Sequence, residues 1–349
     1  MRNNFNLDAL VRPNVKAMEP YSSARDEFTE ISDDLVYLDA NENPFNTGVN
    51  RYPDPHQQKL KTILAKQRGI NSSNLLLGNG SDEILDLLFR AFCEPKTDSI
   101  ITVPPTYGMY KVLAGVNAVR NKEVLLTSSF QLNVAGILEA IDETTKLIFI
   151  CSPNNPTGNS IASEDIPQLL ASFRGLVVID EAYIDFSKQQ SWANVLDEYP
   201  NLVVTQTLSK AYAMAGIRLG ICIASEAIIA VLRKIKPPYN VNTLTQERAI
   251  AELESINDIK ERIHLIISEK ELLSKQLLEV NFIQDVLPSD ANFLLVRVDD
   301  ANKRYTELTQ QGIIVRNRST QPMCDNTLRI TIGTPSENKR LRTVLKNME

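Results

Sequence analysis

The sequence predicts an α/β protein. A large domain built on a mostly parallel, doubly wound sheet is followed by a smaller α+β domain. Three observations carry this. Between residues 75 and 223, short β-like runs alternate with helical stretches, the alternation that α/β layering requires. Most of those runs are apolar at successive positions, the pattern of strands buried on both faces. After Ile223 the texture changes to longer, charged, periodic segments and then a second set of strand-like runs.

The large-domain strands are expected at 75–77, 99–103, 146–150, 176–179, 202–205 and 219–223, with helices at 82–92, 163–172 and 211–216 between them. A helix over 227–236 stops at Pro237-Pro238, which cannot continue it. The stretch 245–280 reads as one long helix or two abutting ones. Strands follow at 293–298, 313–315 and 328–332. A terminal helix begins near Ser336, with Ser336 as its N-cap. The expected division is an N-terminal arm or part of the small domain over 1–41, a large domain over 42–236 and a small domain over 237–349.

Composition removes several function classes. The chain has 349 residues, 43% of them hydrophobic, and 37 basic against 43 acidic residues give a net charge of -6. That balance argues against a general nucleic-acid or membrane-surface binder. No apolar run approaches the roughly 20 residues of a membrane span. The start, Met1-Arg2-Asn3-Asn4-Phe5, has no apolar signal core, so a cytoplasmic protein is expected. Four scattered cysteines have neither metal nor redox spacing. With only His56 and His264, a zinc site or a Ser-His-Asp hydrolase is unattractive. Something other than histidine must carry acid–base work.

In open α/β sheets, ligands bind outside the carboxyl ends of the strands. Those ends hold the chemistry here. The first is followed by Gly78-Asn79-Gly80-Ser81-Asp82-Glu83, where a helix start offers N–H groups to a phosphate and Ser81 or Asp82 is the candidate N-cap. Next come Pro105-Thr106-Tyr107-Gly108, with an aromatic able to stack on a flat ring, and Asn154-Asn155-Pro156-Thr157-Gly158, with an amide able to reach a ligand oxygen. Asp180-Glu181-Ala182-Tyr183 ends a buried strand in a carboxylate, which needs a partner. The last leads through Thr207 and Ser209 to Lys210, with Arg218 shortly after. A lysine can form a Schiff base with an aldehyde, and hydroxyls with an arginine can hold a phosphate. Both groups on one molecule describe pyridoxal phosphate, whose protonated ring nitrogen would answer Asp180.

These motifs resemble the fold-type I, pyridoxal-phosphate-dependent aminotransferases, in their class-II branch. The narrower elements Asn41-Glu42-Asn43-Pro44 and Arg51-Tyr52-Pro53-Asp54-Pro55 are similar to those of the histidinol-phosphate aminotransferase family. The resemblance covers nearly the whole chain. It implies transamination between histidinol phosphate and 2-oxoglutarate, giving imidazole-acetol phosphate and glutamate, a step of histidine biosynthesis. It implies that Lys210 carries the cofactor, Asp180 pairs with the ring nitrogen, Asn155 and Tyr183 bond the ring oxygen, and Tyr107 stacks on the ring. Ser81, Asp82, Thr207, Ser209 and Arg218 would surround the cofactor phosphate. Tyr52 would reach it from the second subunit of a homodimer. Tyr21, Asn41, Arg316 and Arg329 would face the substrate, and Arg318 could replace or supplement Arg316. No metal is expected. An aromatic amino-acid aminotransferase and a threonine-phosphate decarboxylase are the rival readings on the same scaffold.

Overall fold

The computed structural model describes residues 5–23, 25 and 35–348; Met1 to Asn4, read above for a signal core, lie outside them. Seven strands form the large sheet: β1 (Leu75–Asn79), β2 (Ser99–Thr102), β3 (Arg120–Glu123), β4 (Thr145–Cys151), β5 (Leu176–Asp180), β6 (Leu202–Thr207) and β7 (Leu219–Ala224). Their order is β1-β7-β6-β5-β4-β2-β3. β7 runs antiparallel to both neighbours, and every other pair is parallel. β3 escapes sequence reading because its residues, Arg120, Asn121, Lys122 and Glu123, are all polar. It is an edge strand, and charge protects an edge from pairing further.

The unbroken apolar runs have a direct cause. Successive side chains enter opposite cores. Leu75, Leu77, Ile148, Ile150, Val177 and Ile179 face one, and Leu76, Leu147, Phe149, Leu176 and Val178 the other. The short helices α1 (Leu7–Leu10) and α2 (Pro13–Ala17) precede α3 (Gln58–Arg68), α4 (Ser81–Phe92), α5 (Met109–Val116), α6 (Val134–Ala140), α7 (Asp165–Ser172), α8 (Glu226–Ile235) and α9 (Thr243–Glu254). Residues of α3, α6, α7 and α9 fill the first core, and those of α4, α5 and α8 the second.

Two local expectations change. The stretch 211–216 is not an α-helix: Ala213 takes positive φ (56°), Met214 N–H folds back to Leu208 O at 3.1 Å, and only Ala215–Ile217 forms a single 3-10 turn. The N-cap of α4 is Gly80 rather than Ser81 or Asp82.

The smaller sheet holds β8 (Ile283–Val286), β9 (Phe293–Val298), β10 (Arg316–Asn317) and β11 (Thr327–Thr331), all antiparallel, in the order β10-β11-β9-β8. The strand expected at 313–315 is displaced to Arg316–Asn317. Helices α10 (Ile256–Leu277), α11 (Ala301–Gln310) and α12 (Pro335–Lys346) pack on this sheet through Leu273, Leu277, Ala301, Leu308, Leu341 and Leu345.

Leu10 enters the core beside α4 and α8, and Arg12 donates to Arg90 O (2.9 Å) and pairs with Glu94 (3.1 Å). α9 also packs on the large sheet, through Ala249 and Leu253, while α10 runs from that core at Ile259 to the small one at Leu273. We propose that the domain boundary lies along α10 instead of at Pro237.

The cap of α12 is Thr334, two residues before the expected Ser336. Its Oγ1 accepts from Glu337 N–H (3.3 Å), and the Glu337 carboxylate accepts from Thr334 N–H (2.7 Å). This reciprocal pair satisfies two otherwise free donors. Thr334→Ala is expected to cost about 1 kcal/mol of stability, read as a lowered denaturant midpoint with an unchanged slope.

Candidate active site

The carboxyl ends of β1, β2, β4, β5 and β6 open onto a cleft of about 420 Å³, closed on its far side by β10 and β11. Twelve of the residues singled out from sequence line it: Ser81, Asp82, Tyr107, Asn155, Asp180, Tyr183, Thr207, Ser209, Lys210, Arg218, Arg316 and Arg329.

One end is a cup for an anion. α4 starts without a side-chain cap, so its first N–H groups are available to a ligand. Arg218 lies across from it, 3.8 Å from Asp82 Oδ2. Gly80 makes this approach possible: a Cβ there would lie 2.5 Å from Arg218 Nη2, and the residue sits at φ 77°. Thr207 and Ser209 complete the wall, with Thr207 Oγ1 accepting from Ser209 N–H at 3.1 Å.

In the middle, Lys210 faces Asp180 and Tyr183. Its ammonium is held below its ordinary range, first by desolvation and then by the charges of Arg329 and Arg218. Asp180 is 3% exposed at the end of β5. Burial pushes its carboxyl up to about 6, although Tyr110 OH (2.8 Å) and Ala182 N–H (3.2 Å) both donate to it. Tyr110 has no role in the sequence reading, where it is merely part of a motif. Here it is fully buried and stacks on Phe149, which stacks on Phe89, with centroids 5.0 and 5.3 Å apart. That column fixes the phenol, and burial raises its pKa well above the ordinary value, so it remains a donor. The only sequence signal was a tyrosine one helical turn from Tyr107. Tyr107 itself donates to Asp82 Oδ1 at 3.1 Å and meets Tyr110 edge-on.

The other end is cationic. Arg316 and Arg329 are cross-strand partners. Arg329 Nη1 donates to Asn155 Oδ1 at 2.5 Å, tying β11 to the loop after β4, and Asn155 Nδ2 lies 3.5 Å from Tyr183 OH. Arg318 and Gln321 also line this end.

Tyr21, Asn41 and Tyr52 are not brought to Lys210 within one chain. Tyr21 is 76% exposed beside a second cavity near His56 and Arg233. Asn41 and Tyr52 border a shallow depression. Tyr52, half exposed, stacks on Tyr239 with centroids 4.4 Å apart. Glu42, within the Asn-Glu-Asn-Pro element, is the hub of that region. It accepts from Arg25 (2.8 Å), Arg51 (2.9 Å) and Tyr52 N–H (2.6 Å).

The residues present fit pyridoxal phosphate: an amine between an anion cup and a buried carboxylate that lacks a cation. The family profile for aminotransferase class I and II matches residues 36–345. The chain belongs to the class I and II aminotransferases. The histidinol-phosphate aminotransferase of Flavobacterium johnsoniae is 63% identical to it over 96% of this chain and 97% of the relative. The crystal structure of the histidinol-phosphate aminotransferase from Clostridium acetobutylicum superposes with a TM-score of 0.80 at 26% identity, covering 86% of this chain and 91% of that one. A threonine-phosphate decarboxylase from Porphyromonas gingivalis has the same fold, with a TM-score of 0.74 at 20% identity, covering 86% of this chain and 91% of that one. Fold alone therefore does not separate amino transfer from decarboxylation, whereas sequence likeness does: this aminotransferase aligns along nearly its whole length with a histidinol-phosphate enzyme. Among its described residues, no helix is long and apolar enough to cross a membrane.

Proposed function

We propose that this aminotransferase interconverts histidinol phosphate and imidazole-acetol phosphate, with 2-oxoglutarate and glutamate as the amino acceptor and donor, in histidine biosynthesis. The observation that carries the reading is one cleft with two anion ends and an amine between them. One end suits the cofactor phosphate. The other suits the substrate phosphate or, by turns, the α-carboxylate of glutamate, since a guanidinium pairs with either anion in forked geometry.

Bound pyridoxal phosphate supplies the electron sink for the carbanion that forms at the substrate α-carbon. The chain's own residues do the rest. Lys210 would hold the cofactor aldehyde, and its Nζ is the group that would move the α-proton; its depressed pKa favours the neutral base this needs. Asp180 would keep the ring nitrogen protonated, with Tyr110 and Ala182 N–H fixing its oxygens. Asn155 and Tyr183 would bond the ring oxygen. Tyr107 would pack on the ring. Ser81, Asp82, Thr207, Ser209 and Arg218 would hold the phosphate. Arg329 and Arg316 orient the substrate anion.

The working unit in this reading is a homodimer. Tyr52 does not line its own chain's cleft yet is exposed, as a residue serving a second copy would be, and Tyr21 and Asn41 share that character. The cytoplasm is the proposed location; four buried, unpaired thiols suit a reducing compartment.

A substrate panel tests the reaction. Glutamate-dependent amination of imidazole-acetol phosphate is expected to exceed that of phenylpyruvate and 4-hydroxyphenylpyruvate in kcat/KM by at least about tenfold, the value of one charge-assisted hydrogen bond. Carbon dioxide release from threonine phosphate should stay at background. Preference for the aromatic oxo acids, or decarboxylation, overturns the assignment.

A further inference from the structure

We propose that Arg318 is a substrate-binding residue, the third guanidinium of an anion site that favours a phosphate over a carboxylate. The proposal rests on the histidinol-phosphate reading, and it gives Arg318, which the sequence left open as a substitute or supplement for Arg316, a role distinct from those of Arg316 and Arg329.

The sheet places it. Arg316 pairs with Arg329, and Arg318 N–H continues the ladder to Thr327 O at 2.9 Å. Side chains two residues apart on a strand share a face, so residues 316, 318, 327 and 329 point the same way. That face looks across the cleft at Lys210, and all three arginines line it.

The three guanidinium groups have no carboxylate among them. None makes an ion pair among the described residues, and their like charges oppose one another: Arg329 and Arg316 both act against the charge of Arg318, and Arg316 acts against that of Arg329. Arg297, next along the same face through its pairing with Thr327, behaves differently. Its Nη atoms donate to the carbonyls of Asp325 and Met323. Arg318 has no such outlet. Its Nε is buried and lacks a hydrogen-bond partner, a costly state unless a ligand answers it. Three repelling cations and one orphaned donor around a cleft describe a site completed by a multivalent anion.

Shape then distinguishes the anions. A carboxylate offers two oxygens in one plane, which a single arginine satisfies bidentately. A phosphate monoester offers three peripheral oxygens and up to two charges, enough for guanidinium groups from different directions. Arg329 and Arg316 suffice for the α-carboxylate of glutamate. The additional oxygen and charge of histidinol phosphate are what Arg318 meets.

The experiment compares holoenzyme carrying R318M, R318K or no change. Each half-reaction is followed separately as a single turnover by cofactor absorbance, with glutamate in one arm and histidinol phosphate in the other. Calorimetric titration with inorganic phosphate and with acetate gives a readout independent of turnover. R318M is expected to weaken histidinol phosphate and inorganic phosphate by about 10- to 100-fold, as loss of a charged hydrogen bond implies. The glutamate half-reaction and acetate binding should change less than about threefold, and R318K should fall between. Equal losses in both arms, or no loss for phosphate, overturn the role of Arg318. Wild-type holoenzyme inactive on histidinol phosphate overturns the functional reading instead, and the phosphate titration still decides Arg318. Should R318M fail to fold, R318K and R318Q decide by the same ratio.

Discussion

Lys210→Ala is expected to lower kcat by a factor on the order of 10⁴ or more, at or beyond the upper end for one positioned proton-transfer group. No other residue can take its place. The chain's two histidines are His56 and His264, and neither lines the cleft. The remaining bases are carboxylates and phenols held for other tasks. Asp180 is engaged by Tyr110 and Ala182, and burial keeps Tyr183 protonated. Fold should survive, since Lys210 ends in the open cleft and belongs to no core cluster. Single-turnover kinetics with glutamate, alongside circular dichroism, check this. A small primary amine added to the variant should recover part of the rate, a rescue that a purely structural lysine would not show. Turnover near the wild-type level would end the Schiff-base reading.

Asp180→Asn has the second largest expected effect, on the order of 10² to several 10³-fold in kcat, because removing one member of a buried charge pair costs on the order of 3–5 kcal/mol. Its pH signature is more diagnostic. In the cofactor-free protein the carboxyl is raised from 3.8 to about 6 by burial. Below about pH 4 it is protonated whether the chain is folded or not, and the difference costs nothing. As pH rises through about 6 the folded protein must hold a buried charge that the unfolded chain holds in water, and about 3 kcal/mol of stability is lost. A pyridinium cation facing Asp180 removes that cost. Pyridoxamine phosphate, which cannot condense with Lys210, isolates the effect. Its affinity for the wild type should fall with pH below 6 by one power of ten per pH unit more than its affinity for D180N. Parallel slopes for the two proteins would separate Asp180 from the cofactor ring.

Much of this site was legible in the sequence because strand ends carry their ligands locally. Asp180 follows four apolar residues directly, and Lys210 follows β6 within three residues. Reading successive strand ends therefore collected ten residues that share one cleft, and the family resemblance added Arg316 and Arg329. The failures have equally local causes. β3 is polar because it is an edge. The stretch 211–216 has helix-compatible composition, but Ala213 at positive φ turns it back on itself. The helix at 335–346 begins where Thr334 and Glu337 can cap each other, and Ser336 lacks that reciprocal partner.

Sequence by itself determined the α/β architecture, the aminotransferase chemistry and the lysine–aspartate pair, since each is written in a contiguous run of residues. Tertiary structure alone decided what depends on distant segments meeting. Tyr110 reaches Asp180 across 70 residues, and Arg329 reaches Asn155 across 174. Arg318 joins Arg316 and Arg329 on one face only because β10 pairs with β11 in that register. Leu10 of the arm and Ala249 and Leu253 of α9 enter the cores that flank the large sheet. Burial and register are properties of the folded chain, and they turned a plausible set of residues into a cleft with an amine at its centre and an anion site at each end.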